Sequence, residues 1–313
     1  MPELLLGVDG GGSKTVALVA DRSGTLLGRG EAASSNHQSV GFPAAVAAID
    51  GATRIALEQA GYDAVAPISA ACFGLAGAAR PADRARFDTW LVEQARVGRW
   101  SIVIDAELVL AAGTPVGWGV ALICGTGSIC YGRSADGRTA RAGGWGYLMG
   151  DEGSGYAVGV GALRLATQTA DGRADADMIL RATLDYWRLR EASELIAHVY
   201  HPSRTRADIA ALARPVAELA DQGDPSAQEL MAQAARELAR LIDAVVHTLD
   251  LYEPPVALGG GLLGARPSLQ RAVVAQAAVA LGLCTYVAEP ARGAVILARR
   301  ILSNTNDPQP SGT

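Results

Sequence analysis

The sequence predicts an α/β protein of two lobes, each built around a mixed β-sheet. An apolar strand, a glycine-rich turn and two further short strands follow one another twice, near residues 4–31 and 119–142. Strand and helix signals alternate up to Asp105, whereas helical signals dominate residues 155–250. A repeated strand pattern interleaved with helices is typical of an α/β fold with a duplicated sheet. The 313 residues suit two lobes of ordinary domain size.

The first third of the chain carries short apolar runs that predict strands and longer stretches with helical spacing. Strands are predicted at residues 4–9, 15–20, 25–31, 68–75 and 101–105. Helices are predicted at residues 43–60 and 82–95. The polar turn at residues 21–24 joins two of the strands as a hairpin.

The rest of the chain repeats this arrangement and adds a helical region. Strands are predicted at residues 119–124, 129–133, 138–142, 256–258 and 284–288. The clearest helix begins at the N-cap Asp224 with Pro225 in the first helical position. Two more helices are predicted, one from the glycines at 259–261 through about residue 281 and one over residues 291–302.

These elements predict the domain organisation. The N-terminal lobe is expected at residues 1–114 and the C-terminal lobe, with a helical insertion, at residues 115–302. The last helix could instead pack back on the N-terminal lobe. Residues 303–313 are polar and contain proline, so we expect a disordered tail.

Composition argues against several classes of function. Half of the residues are apolar and 19% are charged, so the chain can bury a full core. The net charge is −5 and no basic block is present, which argues against nucleic acid as a partner. The run Leu4–Val8 is too short for a membrane span or a signal, so we expect no membrane partner. Four scattered cysteines favour buried thiols in the reducing cytoplasm.

The first candidate binding motif is the turn after the first strand, where Asp9 is followed by Gly10–Thr15. Glycines let phosphate oxygens approach backbone N–H groups closely. A strand follows the turn, so the motif is neither a P-loop nor a dinucleotide fingerprint. A plain hairpin turn would not explain three glycines flanked by an acid and two hydroxyls. Lys14, the only lysine in the chain, suits either an electrostatic role towards phosphate or a coding bias towards arginine.

Two further glycine-rich turns also follow apolar strands. Gly125–Ser128 occupies the point of the repeat that matches the first turn, so two hairpins could hold one phosphate chain from opposite sides. Gly259–Gly261 lies between a strand and a helix. Its backbone could lie against a flat ring such as adenine, whereas helix capping alone would need fewer glycines.

Asp105 follows the apolar residues Ile102–Ile104 at the end of a predicted strand. Catalytic acids are often found at that edge of a sheet, where it opens into a cleft. The same residue could cap the helix that begins at Ala106. The local sequence leaves both interpretations open.

The most unusual stretch is Gly143–Gly155, which packs six glycines, two aromatic residues and two acids into thirteen residues. Such a segment cannot form a regular helix or strand. The faces of Trp145 and Tyr147 suit sugar rings or acyl groups. A packing role for Trp145 is the alternative.

Four segments, in their order and spacing, resemble the N-acetylglucosamine kinase branch of the BadF/BadG/BcrA/BcrD-type ATPase family, within the actin/hexokinase-like superfamily. They are Asp9–Thr15, Cys124–Ser128, Gly143–Gly155 and Gly259–Gly261. The most specific elements are Gly144–Gly146, Gly150–Gly155 and Ser35–His37. The resemblance covers nearly the whole chain except the tail. It implies two actin-like (ribonuclease H-like) lobes that close over ATP, Mg²⁺ and a sugar in a central cleft, and it implies a homodimer.

The resemblance also implies roles for individual residues. The catalytic base falls on Asp105, and Asp9 holds Mg²⁺ through water. Amino-sugar contacts fall on Asn36, Asp105, Gly144, Trp145 and Asp151. The candidate ATP contacts, from the resemblance and the three turns together, are Gly11, Gly12, Ser13, Lys14, Thr15, Gly125, Thr126, Gly127, Ser128, Gly259, Gly260 and Gly261.

Together these features predict an ATP-dependent kinase that phosphorylates the 6-hydroxyl of an amino sugar, first of all N-acetylglucosamine. Glucosamine or N-acetylmuramic acid as the substrate of the same fold is the first alternative. A second alternative is an ATPase that activates a dehydratase through an iron–sulfur cluster, which needs clustered, exposed thiolates. A non-catalytic sugar sensor would be expected to lack the base at Asp105.

Overall fold

The computed structural model describes residues 3–78, 80–115 and 117–303. The chain forms two compact units. The first contains the residues up to Gly117 together with those from Glu289 onward, and the second is Trp118–Ala288. The predicted boundary was 114/115, and the last helix, which the sequence left open to either lobe, belongs to the first unit. The predicted tail at 303–313 falls outside the described residues except for Ser303, the last residue of a helix.

The helices and strands of the described residues are as follows. The strands are β1 (Leu5–Gly10), β2 (Lys14–Ala20), β3 (Leu26–Ala33), β4 (Ile68–Leu75), β5 (Val97–Val103), β6 (Gly119–Cys124), β7 (Ser128–Arg133), β8 (Thr139–Gly143), β9 (Val256–Gly259) and β10 (Cys284–Tyr286). The helices are α1 (His37–Val40), α2 (Phe42–Gln59), α3 (Pro81–Gln94), α4 (Asp105–Gly113), α5 (Gly155–Ala170), α6 (Asp177–Trp187), α7 (Glu194–Val199), α8 (Arg206–Ala210), α9 (Ala213–Asp221), α10 (Pro225–Leu249), α11 (Gly261–Ala265), α12 (Pro267–Gln276) and α13 (Ala291–Ser303). No helix in this part of the chain combines the length and apolar composition that a membrane span requires.

Each unit contains one five-stranded mixed sheet, and the two sheets share one arrangement. The strand order is β3-β2-β1-β4-β5 in the first unit and β8-β7-β6-β9-β10 in the second. The central strand β1 is antiparallel to β2 and parallel to β4, just as β6 is antiparallel to β7 and parallel to β9. The predicted α/β class, with actin-like lobes and a duplicated mixed sheet, is confirmed.

Both faces of the first sheet are covered. Alternate residues of β1 point to opposite faces, so Leu6 packs in the core that contains Phe73 and Leu5 in the core that contains Val295. Helix α2 packs on β2 and β3, and α13 packs on β1, β4 and α4. Gly7 allows this approach, because a Cβ there would lie 2.6 Å from the Val295 backbone nitrogen.

In the second unit, α10 covers the sheet and a separate helical layer extends beyond it. Leu238 and Ile242 of α10 pack with Leu122 of β6. Asp224 caps α10 as predicted, because its carboxylate accepts a hydrogen bond of 2.8 Å from the Ala227 N–H. Helices α5, α6 and α9 form their own apolar core with the first half of α10. The predicted helical insertion corresponds to α5–α9.

The predicted single helix from residues 259–261 to about residue 281 is wrong. Arg266 interrupts it with extended backbone, φ −135° and ψ 82°, and separates α11 from α12. The cause is Pro267, whose ring disfavours helical geometry in the preceding residue. Residues 277–283 are not helical, and β10 ends at Tyr286 instead of residue 288.

Candidate active site

In the first unit, the β1–β2 turn leaves open space beside its glycines. The Gly11 N–H donates to the Lys14 carbonyl at 3.0 Å. A Cβ on Gly12 would meet no atom within 4 Å, whereas one on Gly10 would collide with the Ser35 hydroxyl. None of these three glycines has a positive φ. Packing explains the glycine at Gly10, whereas neither packing nor backbone geometry requires one at Gly12, where the open space suits a ligand that approaches the backbone closely.

Two carboxylates belong to the same edge of the first sheet. Asp9 lies near the end of β1, opposite Gly74 of the parallel strand β4, and Asp105 follows β5 on the other side of β4. The pKa of Asp9 is raised to about 7, mainly by burial and next by the Asp105 charge, while Lys14 acts in the opposite direction. Burial also raises the pKa of Asp105. Two half-buried carboxylates repel each other, and a bound cation or proton would reduce this repulsion.

Asp105 was predicted at the end of a strand. In the structure, β5 ends at Val103 and Asp105 is the first residue of α4. Ile104 occupies the N-cap position, and the Asp105 carboxylate accepts a hydrogen bond of 2.9 Å from the Ala106 N–H. This contact lowers the pKa of Asp105 and opposes the effect of burial. The structure therefore shows that the Asp105 carboxylate interacts with the N-terminus of α4.

Lys14 opens β2 and is exposed. Its Nζ lies 3.4 Å from a carboxylate oxygen of Glu31, which also contacts Arg29 at 2.8 Å. Exposed pairs of this length contribute little to stability. Lys14 is therefore available to act on other charges, and it already lowers the pKa of Asp9.

The segment Ser35–His37 leads into the short helix α1. Asn36 is its N-cap, and the side-chain oxygen accepts a hydrogen bond of 3.2 Å from the Gln38 N–H. His37 is buried and its Nε2 lies 3.0 Å from an Asp83 carboxylate oxygen. This pair fastens the segment to α3. The sequence singled out Asn36 but gave no sign of the His37–Asp83 contact, because the partners are 46 residues apart.

In the second unit, the β6–β7 turn is tied to the loop Gly143–Ser154 and to the start of α5. The Ser128 N–H donates to Asp151 Oδ1 at 3.1 Å, and the Ser128 hydroxyl donates to the Glu152 carbonyl at 2.7 Å. The N–H groups of Gly155 and Tyr156 donate to the carbonyls of Gly125 and Thr126, at 2.9 and 3.1 Å. Both donors of Ser128 are engaged, whereas Thr126 is exposed.

The loop Gly143–Ser154 exposes its aromatic residues and buries an acid. Trp145 is 60% exposed and Tyr147 is 41% exposed, whereas Asp151 is only 8% exposed. Asp151 has a φ of 62°, an unusual backbone conformation that its bond to Ser128 holds in place. Burial raises the pKa of Asp151, and the Ser128 N–H and Arg206 lower it. Gly144, at φ 68°, lies against Ile129.

Each glycine at the end of β9 occurs there for a different structural reason. Gly260 has a φ of 94°, and its Cα packs on the backbone of Cys124, so no side chain fits there. Gly259 ends the strand. A Cβ on Gly261, the first residue of α11, would meet no atom within 4 Å. This open position is the part of the turn that suits a ligand.

The predicted site residues thus fall into two groups. In the first unit, Asp9 and Asp105 interact electrostatically at the edge of the sheet that also carries the open turn. The second unit holds the β6–β7 turn, the loop Gly143–Ser154 and the β9–α11 glycines. Sequence analysis missed Arg206, which lies over the ring of Tyr147 at 5.0 Å. No local motif could have indicated this contact, since the two residues are far apart in the chain.

The chain belongs to the BadF/BadG/BcrA/BcrD ATPase family, whose model matches residues 6–298. It is 34% identical over 268 residues to the N-acetylmuramic acid/N-acetylglucosamine kinase of Clostridium acetobutylicum, covering 83% of this chain and 85% of that protein. It is 32% identical over 273 residues to the N-acetyl-D-glucosamine kinase of Dictyostelium discoideum, covering 83% and 86%. A crystal structure of a Chromobacterium violaceum protein proposed to be an N-acetylglucosamine kinase is similar with a TM-score of 0.77 and 30% identity, covering 95% of this chain and 99% of that one.

Proposed function

We propose that this protein is an ATP-dependent kinase that transfers the γ-phosphoryl group to the 6-hydroxyl of an amino sugar, with N-acetylglucosamine as the first candidate. The observation that carries the proposal is that Asp9 and Asp105 belong to the same edge of the first sheet, next to a turn with open space at Gly12. The two curated relatives, named as kinases of N-acetylated amino sugars, support the substrate class.

Asp105 acts as the general base. Its oxygen accepts the proton of the sugar 6-hydroxyl while that hydroxyl oxygen attacks the γ-phosphorus and the bond to the β-phosphate oxygen breaks. Burial raises the pKa of Asp105, which makes the ionised carboxylate a stronger base. The Ala106 N–H hydrogen bond lowers the pKa of Asp105, against the effect of burial, and orients the carboxylate.

The residues around Asp9 fit a magnesium ion. Mg²⁺ prefers carboxylate oxygens and water, and the mutual repulsion of Asp9 and Asp105 leaves negative charge without a full partner. Asp9 would hold the ion, directly or through water. When bound, Mg²⁺ offsets the charge of the phosphate oxygens during transfer.

Within each unit taken by itself, the backbone of the open glycine positions is the proposed contact for phosphate oxygens of ATP. Gly12, Gly125 and Gly261 have the space for close approach. Ser13 and Thr126 supply hydroxyls, whereas Ser128 is already bonded to the loop. Gly259–Gly261 would face the nucleotide, and Lys14 would act through its charge.

Within the second unit, the loop Gly143–Ser154 carries the proposed amino-sugar contacts, and Asn36 of the first unit stays a contact implied by the resemblance. The exposed ring of Trp145 suits the acetamido group, and Gly144 leaves room beside it. N-acetylmuramic acid is the second candidate substrate, because the Clostridium acetobutylicum relative is named for both sugars. Glucosamine is the third, because Asp151 or Glu152 could pair with a free amine.

The iron–sulfur activator is not supported by the cysteines. Cys124 and Cys130 are buried in the second unit and Cys72 in the first. Burial raises the pKa of Cys72 and of Cys124 to about 12, so these thiols are poor thiolate ligands. Within the described residues, no group of three or more potential metal ligands comes together. A homodimer, implied by the resemblance, and a cytoplasmic location, favoured by the cysteines, stay predictions.

One assay tests the proposal. Purified protein with ATP and Mg²⁺ is offered N-acetylglucosamine, N-acetylmuramic acid, glucosamine and glucose, and sugar-dependent ADP formation is measured with product identification by NMR. We expect N-acetylglucosamine to have a higher kcat/KM than glucosamine or glucose, and Trp145→Ala to lose that preference. Phosphorylation of none of the amino sugars would overturn the kinase assignment, and better turnover of glucosamine would overturn the substrate.

A further inference from the structure

Two arginines are stacked on the aromatic residues of the loop Gly143–Ser154. The guanidinium carbon of Arg141 lies 4.8 Å from the centre of the Trp145 ring, and that of Arg206 lies 5.0 Å from the centre of the Tyr147 ring. Neither arginine forms an ion pair within the described residues. Other arginines do, such as Arg138 with Asp136 and Arg96 with Asp50.

A stacked guanidinium still has its hydrogen-bond donors available. The cation–π contact uses the flat face of the group, and the N–H donors point outward along its edge. That edge matches the two oxygens of a carboxylate, with which arginine forms paired hydrogen bonds. Because stacking already restricts the side chain, a carboxylate would bind with less loss of conformational entropy.

Of the two arginines, Arg206 is the better anchored. The ring of Tyr147 that supports it also contacts Tyr156 edge to face at 5.3 Å. Arg206 is the first residue of α8, whose start is fixed by reciprocal hydrogen bonds between Thr205 and Asp208. It also lowers the pKa of Asp151, so its charge acts directly on the acid of the proposed sugar loop.

Space for a bulky substituent lies next to the same ring. Tyr147 and Tyr156 line a cavity of about 600 Å³ that is also bounded by Arg164 and Leu230. Arg206 lies outside the lining of this cavity and stacks on the ring of Tyr147. A group much larger than a hydroxyl fits there. Glu152 lines the same cavity, so an anionic group would be repelled from this region unless a cation offset that charge.

We infer that Arg206 is a specificity-determining residue that binds a carboxylate carried by the amino sugar. The substrate class is an N-acetylhexosamine with an acidic ring substituent, such as the lactyl ether of N-acetylmuramic acid. The inference rests on the proposed kinase function and on the loop Gly143–Ser154 as the sugar site. Neutral N-acetylglucosamine has no group for this arginine and uses the remaining contacts.

The test compares two substrates in matched variants. The kcat/KM for N-acetylmuramic acid and for N-acetylglucosamine is measured for the unmodified protein, Arg206→Gln and Arg206→Lys. We expect Arg206→Gln to lower the value for N-acetylmuramic acid about tenfold or more, mainly through KM, because a charge-assisted pair is lost. The value for N-acetylglucosamine should change less than about twofold, which also shows that the variant is folded, and Arg206→Lys should restore part of the loss.

Arg164→Gln is the charge-matched control, since Arg164 is exposed and lines the same cavity. Equal losses for both sugars in Arg206→Gln would show a structural role and overturn the inference. A selective loss in Arg164→Gln instead would place the carboxylate elsewhere and overturn it as well. Turnover of N-acetylglucosamine without any turnover of N-acetylmuramic acid would overturn the inference and leave the proposed function standing. Turnover of neither sugar would refute the proposed function and the inference with it.

Discussion

The two units share one sheet arrangement but differ in how their first turn is held. In the first unit, the turn at Gly10–Ser13 accepts hydrogen bonds from the Ala76 N–H and the Ser34 hydroxyl and leaves open space beside Gly12. In the second, the turn at Gly125–Ser128 is fastened to the loop Gly143–Ser154 and the start of α5 by four hydrogen bonds. The comparison shows that a duplicated fold keeps its strands and specialises its turns. The first turn leaves space at Gly12, and the second turn is hydrogen-bonded to a loop and a helix.

The largest expected effect concerns the acid at the edge of the first sheet. Asp105→Asn should keep the fold and ATP binding and lower kcat by ~10²-fold or more, because the amide cannot accept the hydroxyl proton. Steady-state kinetics with N-acetylglucosamine and a thermal melt measure both properties. Glu107→Gln is the control, since Glu107 is the other acid in the first turn of α4. Similar mild losses in both variants would show that Asp105 serves only the helix terminus.

One pair of substitutions tests the difference between the two turns. Gly127→Ala places a Cβ 2.7 Å from an Asp151 carboxylate oxygen, so it should lower the free energy of unfolding by about 1–3 kcal/mol. Gly12→Ala meets no atom within 4 Å and should leave stability nearly unchanged while raising the KM for ATP severalfold. Denaturant unfolding and ATP titration of both variants give the two quantities. A stable Gly127→Ala protein, or a Gly12→Ala protein with normal KM, would contradict the contrast.

The acid pair predicts a pH dependence of stability. The pKa of Asp9 is raised from 3.8 to about 7, so the folded protein favours the protonated form more than the unfolded chain does. The contribution of Asp9 to the free energy of unfolding therefore falls as pH rises from about 4 to about 7. The asparagine in Asp9→Asn cannot ionise, so this variant should lose less stability over the same pH range. Melting temperatures of the unmodified protein and of Asp9→Asn, recorded between pH 4.5 and 8 with EDTA present, measure this difference. The same pH dependence in both proteins would refute the raised pKa of Asp9.

The smallest expected effect concerns the single lysine. Lys14→Ala should raise the KM for ATP at most a few times and leave the KM for the sugar unchanged, because an exposed charge acts weakly through water. Arg22→Ala is the matched control, since Arg22 is an exposed cation in an ion pair with Glu3. An equal change in both variants, or none in either, would leave coding bias as the explanation of Lys14.

The strands and turns could be predicted because their signals are local. An apolar run that ends in a glycine-rich turn indicates a strand exit wherever it occurs, and the repetition near residue 119 gave the second sheet. The single helix predicted after Gly261 was wrong because the effect of Pro267 on Arg266 was overlooked. That error was avoidable from the sequence.

The parts of the site that could not be predicted depend on contacts between distant residues. Asp151 was predicted as a sugar contact, but its bond to the Ser128 N–H spans 23 residues and has no sequence signal. The stacking of Arg206 on Tyr147 is of the same kind. The family resemblance implied the residue roles. The structure shows which hydrogen-bond donors, such as those of Ser128, are already bonded within the protein.

The position of α13 has a consequence for biosynthesis. The second unit is one continuous segment, whereas the first is completed only by residues after Glu289. Ala291 and Val295 of α13 are buried in the core that contains Leu5 of β1, so that face of the first sheet is only partly covered until residues 291–303 have been synthesised. The second unit can therefore finish its core during translation, while the nascent first unit keeps an apolar surface that chaperones recognise until the last helix arrives.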